Sequence, residues 1–74
     1  MEQKITKLLQ LGRNIFRYRK EKGLSQNQLA ELLDISREHL AKIETAKRCV
    51  SLPLLFKISE TLQVLEKDLF DFKS

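Results

Sequence analysis

The chain has 74 residues, of which 42% are hydrophobic and 32% are charged, and its net charge at pH 7 is +4. A chain of this length forms one domain, which we expect to span residues 1–74. No apolar run approaches the roughly eighteen residues of a membrane span, and no signal-peptide core follows Met1, so we expect a cytoplasmic protein. Because Cys49 is the only cysteine and His39 the only histidine, an intramolecular disulfide is excluded and no metal site is predicted.

The first predicted helix runs from Leu11 to Lys22, where three residues recur at helical spacing: Leu11, Ile15 and Tyr18. Gly23 follows at the position where a helix end favours a left-handed residue. Residues 1–10 are predicted to form a frayed start of the same helix, and a loose arm is the alternative.

Two short helices joined by a tight turn are predicted between Ser25 and Glu44. Ser25 and Gln28 have the spacing of a capping box, in which the serine hydroxyl accepts from the Gln28 amide and the glutamine side chain reaches back. Three leucines are predicted to share the core-facing side of the first of these helices: Leu29, Leu32 and Leu33. Asp34 suits the left-handed turn, and Ser36 can cap the second helix.

The second of these helices begins near Arg37 and is polar towards its N-terminal half. Two short helices joined by a tight turn form a helix-turn-helix, a DNA-binding motif. We predict base contacts from four side chains of the second helix: Arg37, Glu38, His39 and Lys42. Arg37 can bridge two acceptors of guanine, and Lys42 can reach guanine or phosphate. Glu38 can accept from cytosine, and His39 suits a base or the backbone.

The remaining chain is predicted to contain a loop from Thr45 to Val50, a fourth helix from Leu52 to Leu62 and a short fifth helix from Glu66 to Phe70. Ser51 is the predicted N-cap of the fourth helix, and Pro53 is tolerated in its first turn. Three residues form its core-facing stripe: Leu55, Ile58 and Leu62. Since no alternating apolar pattern predicts a strand, the expected fold is all-α, a compact five-helix domain.

Cys49 lies in the predicted loop that precedes the fourth helix. We expect a structural thiol at this position. An exposed thiol that responds to oxidation is the alternative.

The run from Ser25 to Glu44 resembles the helix-turn-helix of the phage-repressor family, also called the Cro and lambda-repressor-like or XRE family. Four residue pairs match the family pattern in register: Ser25-Gln26, Leu29-Ala30, Ile35-Ser36 and Ile43-Glu44. The resemblance covers roughly Gly12 to Phe70. Three residues stand where the family commonly has glycine: Asp34, Ala46 and Gln63.

This resemblance implies a DNA-binding domain with the second of the two short helices in the major groove. It also implies DNA-backbone contacts, for which four residues are the candidates: Gln26, Thr45, Lys47 and Arg48. In the family, an arginine at the position of Arg19 often pairs with the glutamate that ends the recognition helix, here Glu44. We therefore expect a structural ion pair between Arg19 and Glu44, and separate solvation of the two charges is the alternative.

The C-terminal element of such proteins commonly builds the dimer contact. In this chain that element covers residues 63–74, and its candidate interface residues are Leu65, Phe70 and Phe72. The alternative is that the two phenylalanines fold back onto the first helix.

The predicted function is that of a dimeric, sequence-specific transcriptional regulator that binds an inverted-repeat operator in double-stranded DNA at the nucleoid. An antitoxin or adaptor that uses the same fold to hold a partner protein is the alternative. We predict no enzyme activity, because the chain has no phosphate-cradling glycine loop, no nucleophile elbow and no second histidine or cysteine. We also expect no cofactor and no small-molecule ligand.

Overall fold

The computed structural model describes residues 2–71 of the chain, with side chains from Thr6 onward. Within that range the chain forms five helices and no strand. In chain order the helices are α1 (Glu2–Glu21), α2 (Gln26–Leu33), α3 (Arg37–Glu44), α4 (Leu52–Leu62) and α5 (Glu66–Leu69). The all-α, five-helix prediction is confirmed.

Helix α1 begins at Glu2, well before the predicted Leu11, so residues before Leu11 belong to the helix and do not form a loose arm. Leu8 and Leu9 of this added part are half-buried. The helix ends at Glu21, one residue before the predicted Lys22. The chain then turns as predicted at Gly23, whose φ of +72° lies in the left-handed region that glycine adopts without steric penalty. The amide of Leu24 then donates to the carbonyl of Arg19 at 3.1 Å, which satisfies an end carbonyl of the helix.

Serine hydroxyls cap three of the helices. Ser25 accepts from the Gln28 amide at 3.0 Å and completes the predicted capping box, because Gln28 Oε1 accepts from the Ser25 amide at 2.8 Å. Ser36 accepts from the third residue of α3 at 3.0 Å, and Ser51 does the same for α4 at 3.3 Å. Each such cap contributes about 1 kcal/mol to helix stability.

The core collects apolar residues from all five helices, as the fully buried Ile15, Leu40 and Leu69 illustrate. Leu32 was predicted to belong to it, but this prediction is wrong, because 56% of Leu32 is exposed. The buried residues of α2 are Leu29, Ala30 and Leu33. Because Ala30 is part of the buried face, the centre of that face lies about 100° from Leu32 around the helix axis.

Cys49 is exposed, so the expected structural thiol is wrong. It lies in the segment between α3 and α4, where the chain turns through a left-handed Ala46. Val50, the next residue, is the one that packs against the core.

Two side chains that no sequence pattern singled out hold α5 in place. Asn14 of α1 donates from Nδ2 to the carbonyl of Leu69 at 2.8 Å. The buried Ser59 of α4 donates from Oγ to Glu66 Oε2 at 2.9 Å. The position of the C-terminal element is therefore set by polar contacts to two other helices as well as by the burial of Leu69.

Three residues other than glycine adopt the left-handed conformation, each at a turn that follows a helix: Asp34, Ala46 and Gln63, with φ near +60°. These are the three positions at which the phage-repressor family, which the sequence resembles, commonly has glycine. For a residue with a Cβ this conformation costs roughly 1–2 kcal/mol. Asparagine and aspartate tolerate this conformation better than alanine does, so Ala46 is more strained than Asp34.

We expect Ala46→Gly to raise the free energy of unfolding by about 0.5 to 1 kcal/mol, because relief of the left-handed strain exceeds the added entropy of the unfolded chain. Ala41→Gly within α3 is the control, and it should lower stability by about 1 kcal/mol because its backbone is helical. Thermal melting followed by circular dichroism measures both changes. An Ala46→Gly variant that melts below the parent protein would contradict the left-handed turn.

Candidate functional site

The outer face of α3 carries the four side chains that the sequence predicted as base contacts. Arg37, Glu38 and Lys42 are exposed and His39 is half-buried. The buried side of the helix is formed by Leu40, Ile43 and Glu44. At about 100° per residue, Glu38 and Lys42 lie at the centre of the outer face, while Arg37 and His39 flank it on opposite sides.

The last residue of α3 is fixed by a buried ion pair. Arg19 Nε donates to Glu44 Oε2 at 2.7 Å and Arg19 Nη2 donates to Oε1 at 3.1 Å, so the pair is bidentate. Arg19 is 5% exposed and Glu44 is 7% exposed. The structure thus contains the Arg19–Glu44 contact that the family resemblance implied, with neither charge left in solvent.

Gln26, at the start of α2, joins the same carboxylate. Its Nε2 donates to Glu44 Oε1 at 2.9 Å, a hydrogen bond that the sequence did not predict because the partners lie 18 residues apart. Arg19 Nη1 also donates to the carbonyl of Leu24 at 2.9 Å. Glu44 therefore joins α1, α2 and α3, which holds α3 in a defined orientation.

The candidate residues for DNA-backbone contacts lie at two places beside α3. Gln26 lies at the N-terminus of α2, where the first-turn amides have no helical acceptor and the helix dipole is positive. Lys47 and Arg48 are exposed in the loop beyond α3. Thr45 is also exposed, but its hydroxyl donates to the carbonyl of Ala41 at 2.8 Å, so its donor is already in use.

The C-terminal surface exposes large apolar side chains. Leu65 is 58% exposed and Phe70 is 46% exposed, whereas Phe72 lies outside the described residues. Two residues of α4 that were not predicted as interface residues are also exposed, Leu52 by 65% and Phe56 by 50%. Their spacing of four residues places them on one side of α4.

Within residues 2–71, no helix combines the length and the apolar character that a membrane span requires. In the same range, no cluster of three or more histidine, cysteine or acidic side chains has the arrangement of a metal site.

Residues 15–69 match the helix-turn-helix family, which is most of the chain and includes all of α2 to α5. The chain belongs to the XRE-type helix-turn-helix family. The family resemblance seen in the sequence is thereby confirmed, and the match begins at Ile15, within α1.

Relatives within this family carry names of two kinds. The chain is 45% identical over 62 residues to the "HTH-type transcriptional regulator SlrR" of Bacillus subtilis, covering 82% of this chain and 41% of that protein. It is 40% identical over 65 residues to the "Control protein C.BamHI" of Bacillus amyloliquefaciens, covering 86% of this chain and 80% of that protein. The chain thus spans about two fifths of the length of the transcriptional regulator and most of the length of the control protein.

A solved structure shares the architecture of this XRE-type domain. The crystal structure of the restriction-modification controller protein C.AhdI from Aeromonas hydrophila superposes with a TM-score of 0.81 at 33% identity. The match covers 85% of this chain and 96% of that one. The five-helix arrangement described above is therefore that of a known controller protein.

Proposed function

We propose that the chain is a transcriptional regulator that reads a specific sequence in double-stranded DNA with the outer face of α3. The carrying observation is that the four polar side chains of this face project from a helix whose last residue, Glu44, is bound to both Arg19 and Gln26. Base reading requires side chains held in a fixed register, which this network supplies. Relatives named as a transcriptional regulator and as control proteins support the proposal. The site of action would be the nucleoid in the cytoplasm.

The charges of the site suit this role. Arg37 can give two parallel hydrogen bonds to the O6 and N7 atoms of guanine, and Glu38 can accept from the N4 amino group of cytosine. His39 and Lys42 are the remaining candidates for base contacts. Lys47, Arg48 and Gln26 flank α3 and suit phosphate contacts, which position the protein without choosing the sequence.

A homodimer is part of the proposal, because one domain of this size covers only one half-site. Leu65 and Phe70 of the C-terminal element, together with Leu52 and Phe56 of α4, give the exposed apolar area that an interface between copies needs. A two-fold axis through such an interface would present two α3 helices to successive major grooves, roughly 34 Å apart. The operator would then be an inverted repeat.

Selection of bound sites from a random duplex library tests the proposal. We expect enrichment of one inverted repeat whose half-sites lie about one helical turn apart, or a multiple of it. Enrichment of a single half-site without symmetry would contradict the homodimer but not sequence-specific binding. A library without any enrichment would contradict sequence-specific binding and favour a protein-holding module of antitoxin or adaptor type.

The division between base-reading and phosphate-holding residues is testable with two alanine variants. We expect Arg37→Ala to weaken binding to the selected site by about 1 to 3 kcal/mol and to remove the preference at one base pair of each half-site. Lys47→Ala should weaken binding to selected and scrambled duplexes alike. Its log–log salt slope should be shallower by roughly 0.9 for each phosphate that the variant no longer neutralises.

Fluorescence anisotropy with the selected duplex, its single-base variants and a scrambled duplex at several salt concentrations distinguishes the two effects. Both residues are exposed, so both variants should melt with the parent protein. If Arg37→Ala weakens all duplexes equally, base reading belongs to Glu38, His39 or Lys42 instead.

A further inference from the structure

Glu38 is the acidic residue among the four candidate base contacts, and its carboxylate has no partner within the described part of the protein. The side chain is exposed in the first turn of α3. Within residues 6–71 it takes part in no ion pair and in no hydrogen bond. Lys42 lies one turn later on the same face, about 6 Å along the helix axis, yet the two charges form no ion pair. An uncompensated negative charge therefore lies at the centre of the surface that is proposed to enter the major groove.

The duplex must supply a partner for this carboxylate. Insertion of α3 into the groove removes water from the side chain, and a charged group that loses its water without gaining a hydrogen bond is strongly unfavourable. The phosphates are negative and cannot serve as partners. Because a carboxylate accepts hydrogen bonds and donates none, the partner has to be a proton on a base edge.

Two amino groups offer such a proton in the major groove, N4 of cytosine and N6 of adenine. The adenine amino group lies beside N7, an acceptor whose lone pair repels a carboxylate. Cytosine has no acceptor on its major-groove edge. Glu38 therefore fits cytosine. One N4 proton of a paired cytosine is bound to guanine, so a single proton is left to face the groove.

We propose that Glu38 makes operator binding depend on the methylation state of one cytosine in each half-site. Its carboxylate accepts a hydrogen bond from the groove-facing proton of N4, and a methyl group on N4 that preserves the base pair replaces this proton. The carboxylate is then desolvated without a partner. The inference rests on the proposed function and adds a chemical modification to the base sequence that α3 reads.

The neighbouring candidates on this face do not share this dependence. Arg37 and Lys42 carry donors, which pair with the O6 and N7 acceptors of guanine. A methyl group on cytosine N4 changes neither acceptor. A methyl group at C5 of cytosine, in turn, leaves the groove-facing N4 proton in place. Sensitivity to N4-methylation without sensitivity to C5-methylation is therefore the signature of an accepting side chain.

The test uses the site selected from random duplexes. Each cytosine of one half-site, on either strand, is replaced in turn by N4-methylcytosine or by 5-methylcytosine, and fluorescence anisotropy measures the affinity of the parent protein. We expect N4-methylation at one position to weaken binding by roughly 10- to 100-fold. 5-Methylcytosine at the same position should leave the affinity close to that of the unmodified site.

Glu38→Ala and Glu31→Ala separate the hydrogen bond from the general effect of charge. Both glutamates are exposed, and Glu31 lies on α2, outside the candidate contacts. Glu38→Ala should bind the N4-methylated and the unmodified duplex equally, because no carboxylate remains to lose its partner. Glu31→Ala removes the same charge and should retain the parent's ratio of the two affinities. Thermal melting of both variants close to the parent protein excludes an effect of folding.

Equal binding of the unmodified site and of every N4-methylated site by the parent protein would overturn the role of Glu38 and leave the proposed function intact. A Glu38→Ala variant that keeps the parent's ratio would assign the sensitivity to another residue and also overturn it. Equal weakening by N4 and C5 methyl groups would show steric exclusion in place of the hydrogen bond. A parent protein that binds no duplex would overturn both the inference and the proposed function.

Discussion

Replacement of Glu44 by alanine is expected to lower the free energy of unfolding by about 3 to 5 kcal/mol, because it leaves the guanidinium of Arg19 buried without its carboxylate. Arg19 is 5% exposed, so water cannot replace the missing carboxylate without opening the packing of α1 on α3. Gln26 loses its acceptor at the same time. A domain of this size has roughly 4 to 11 kcal/mol of stability in total, so the variant should be partly unfolded at growth temperature.

Chemical denaturation followed by circular dichroism measures this decrease, with two further variants that separate its causes. Glu38→Ala removes an exposed glutamate from the same helix and should change stability by no more than about 0.5 kcal/mol. A double variant, Arg19→Met with Glu44→Leu, replaces the pair by apolar side chains and should recover most of the stability. If Glu44→Ala unfolds at the same denaturant concentration as Glu38→Ala, the ion pair is not buried in solution.

A methyl group at Gly12 is expected to destabilise the domain by about 1 to 3 kcal/mol. An added Cβ would lie 2.7 Å from the carbonyl oxygen of Ile43 and would also clash with the carbonyl of Glu44. Both atoms are backbone atoms at the end of α3, so they cannot move aside as a flexible side chain can. The gain of about 1 kcal/mol in helix propensity from glycine to alanine opposes this effect without reversing it.

The Gly12→Ala variant should also bind the selected duplex more weakly at temperatures where it remains folded, because α1 must shift against the end of the recognition helix. Arg17→Ala, an exposed change in the same helix, should affect neither the melting temperature nor sequence preference. A Gly12→Ala variant more stable than the parent protein would show that helix propensity dominates and that α1 does not approach α3 closely.

Local sequence signals placed the ends of the helices after residue 11 to within about one residue of the observed bounds. The caps at Ser25, Ser36 and Ser51 and the turn at Gly23 were all predicted correctly, since each depends on groups within a few residues along the chain. A hydroxyl and an amide three residues apart meet in the same way whatever the rest of the molecule does. For this reason the five helices and the polar outer face of α3 could be read from the sequence.

The Arg19–Glu44 pair has a different origin. Its partners lie 25 residues apart, and the expectation came from resemblance to the family and not from local spacing. The resemblance implied a DNA-backbone contact for Gln26 but not its hydrogen bond to Glu44, which forms only when α2 and α3 are packed together.

Tertiary structure alone decided the features for which the sequence had no local signal. Asn14 binds the carbonyl of Leu69 across 55 residues of chain, and the need for glycine at position 12 arises from the carbonyls of α3. Leu32 and Cys49 are hydrophobic by residue type, yet both are exposed, because Ala30 and Val50 occupy the neighbouring places in the core. The hydrophobic effect favours burial of apolar area in general, and the close packing of particular helices selects which residues are buried.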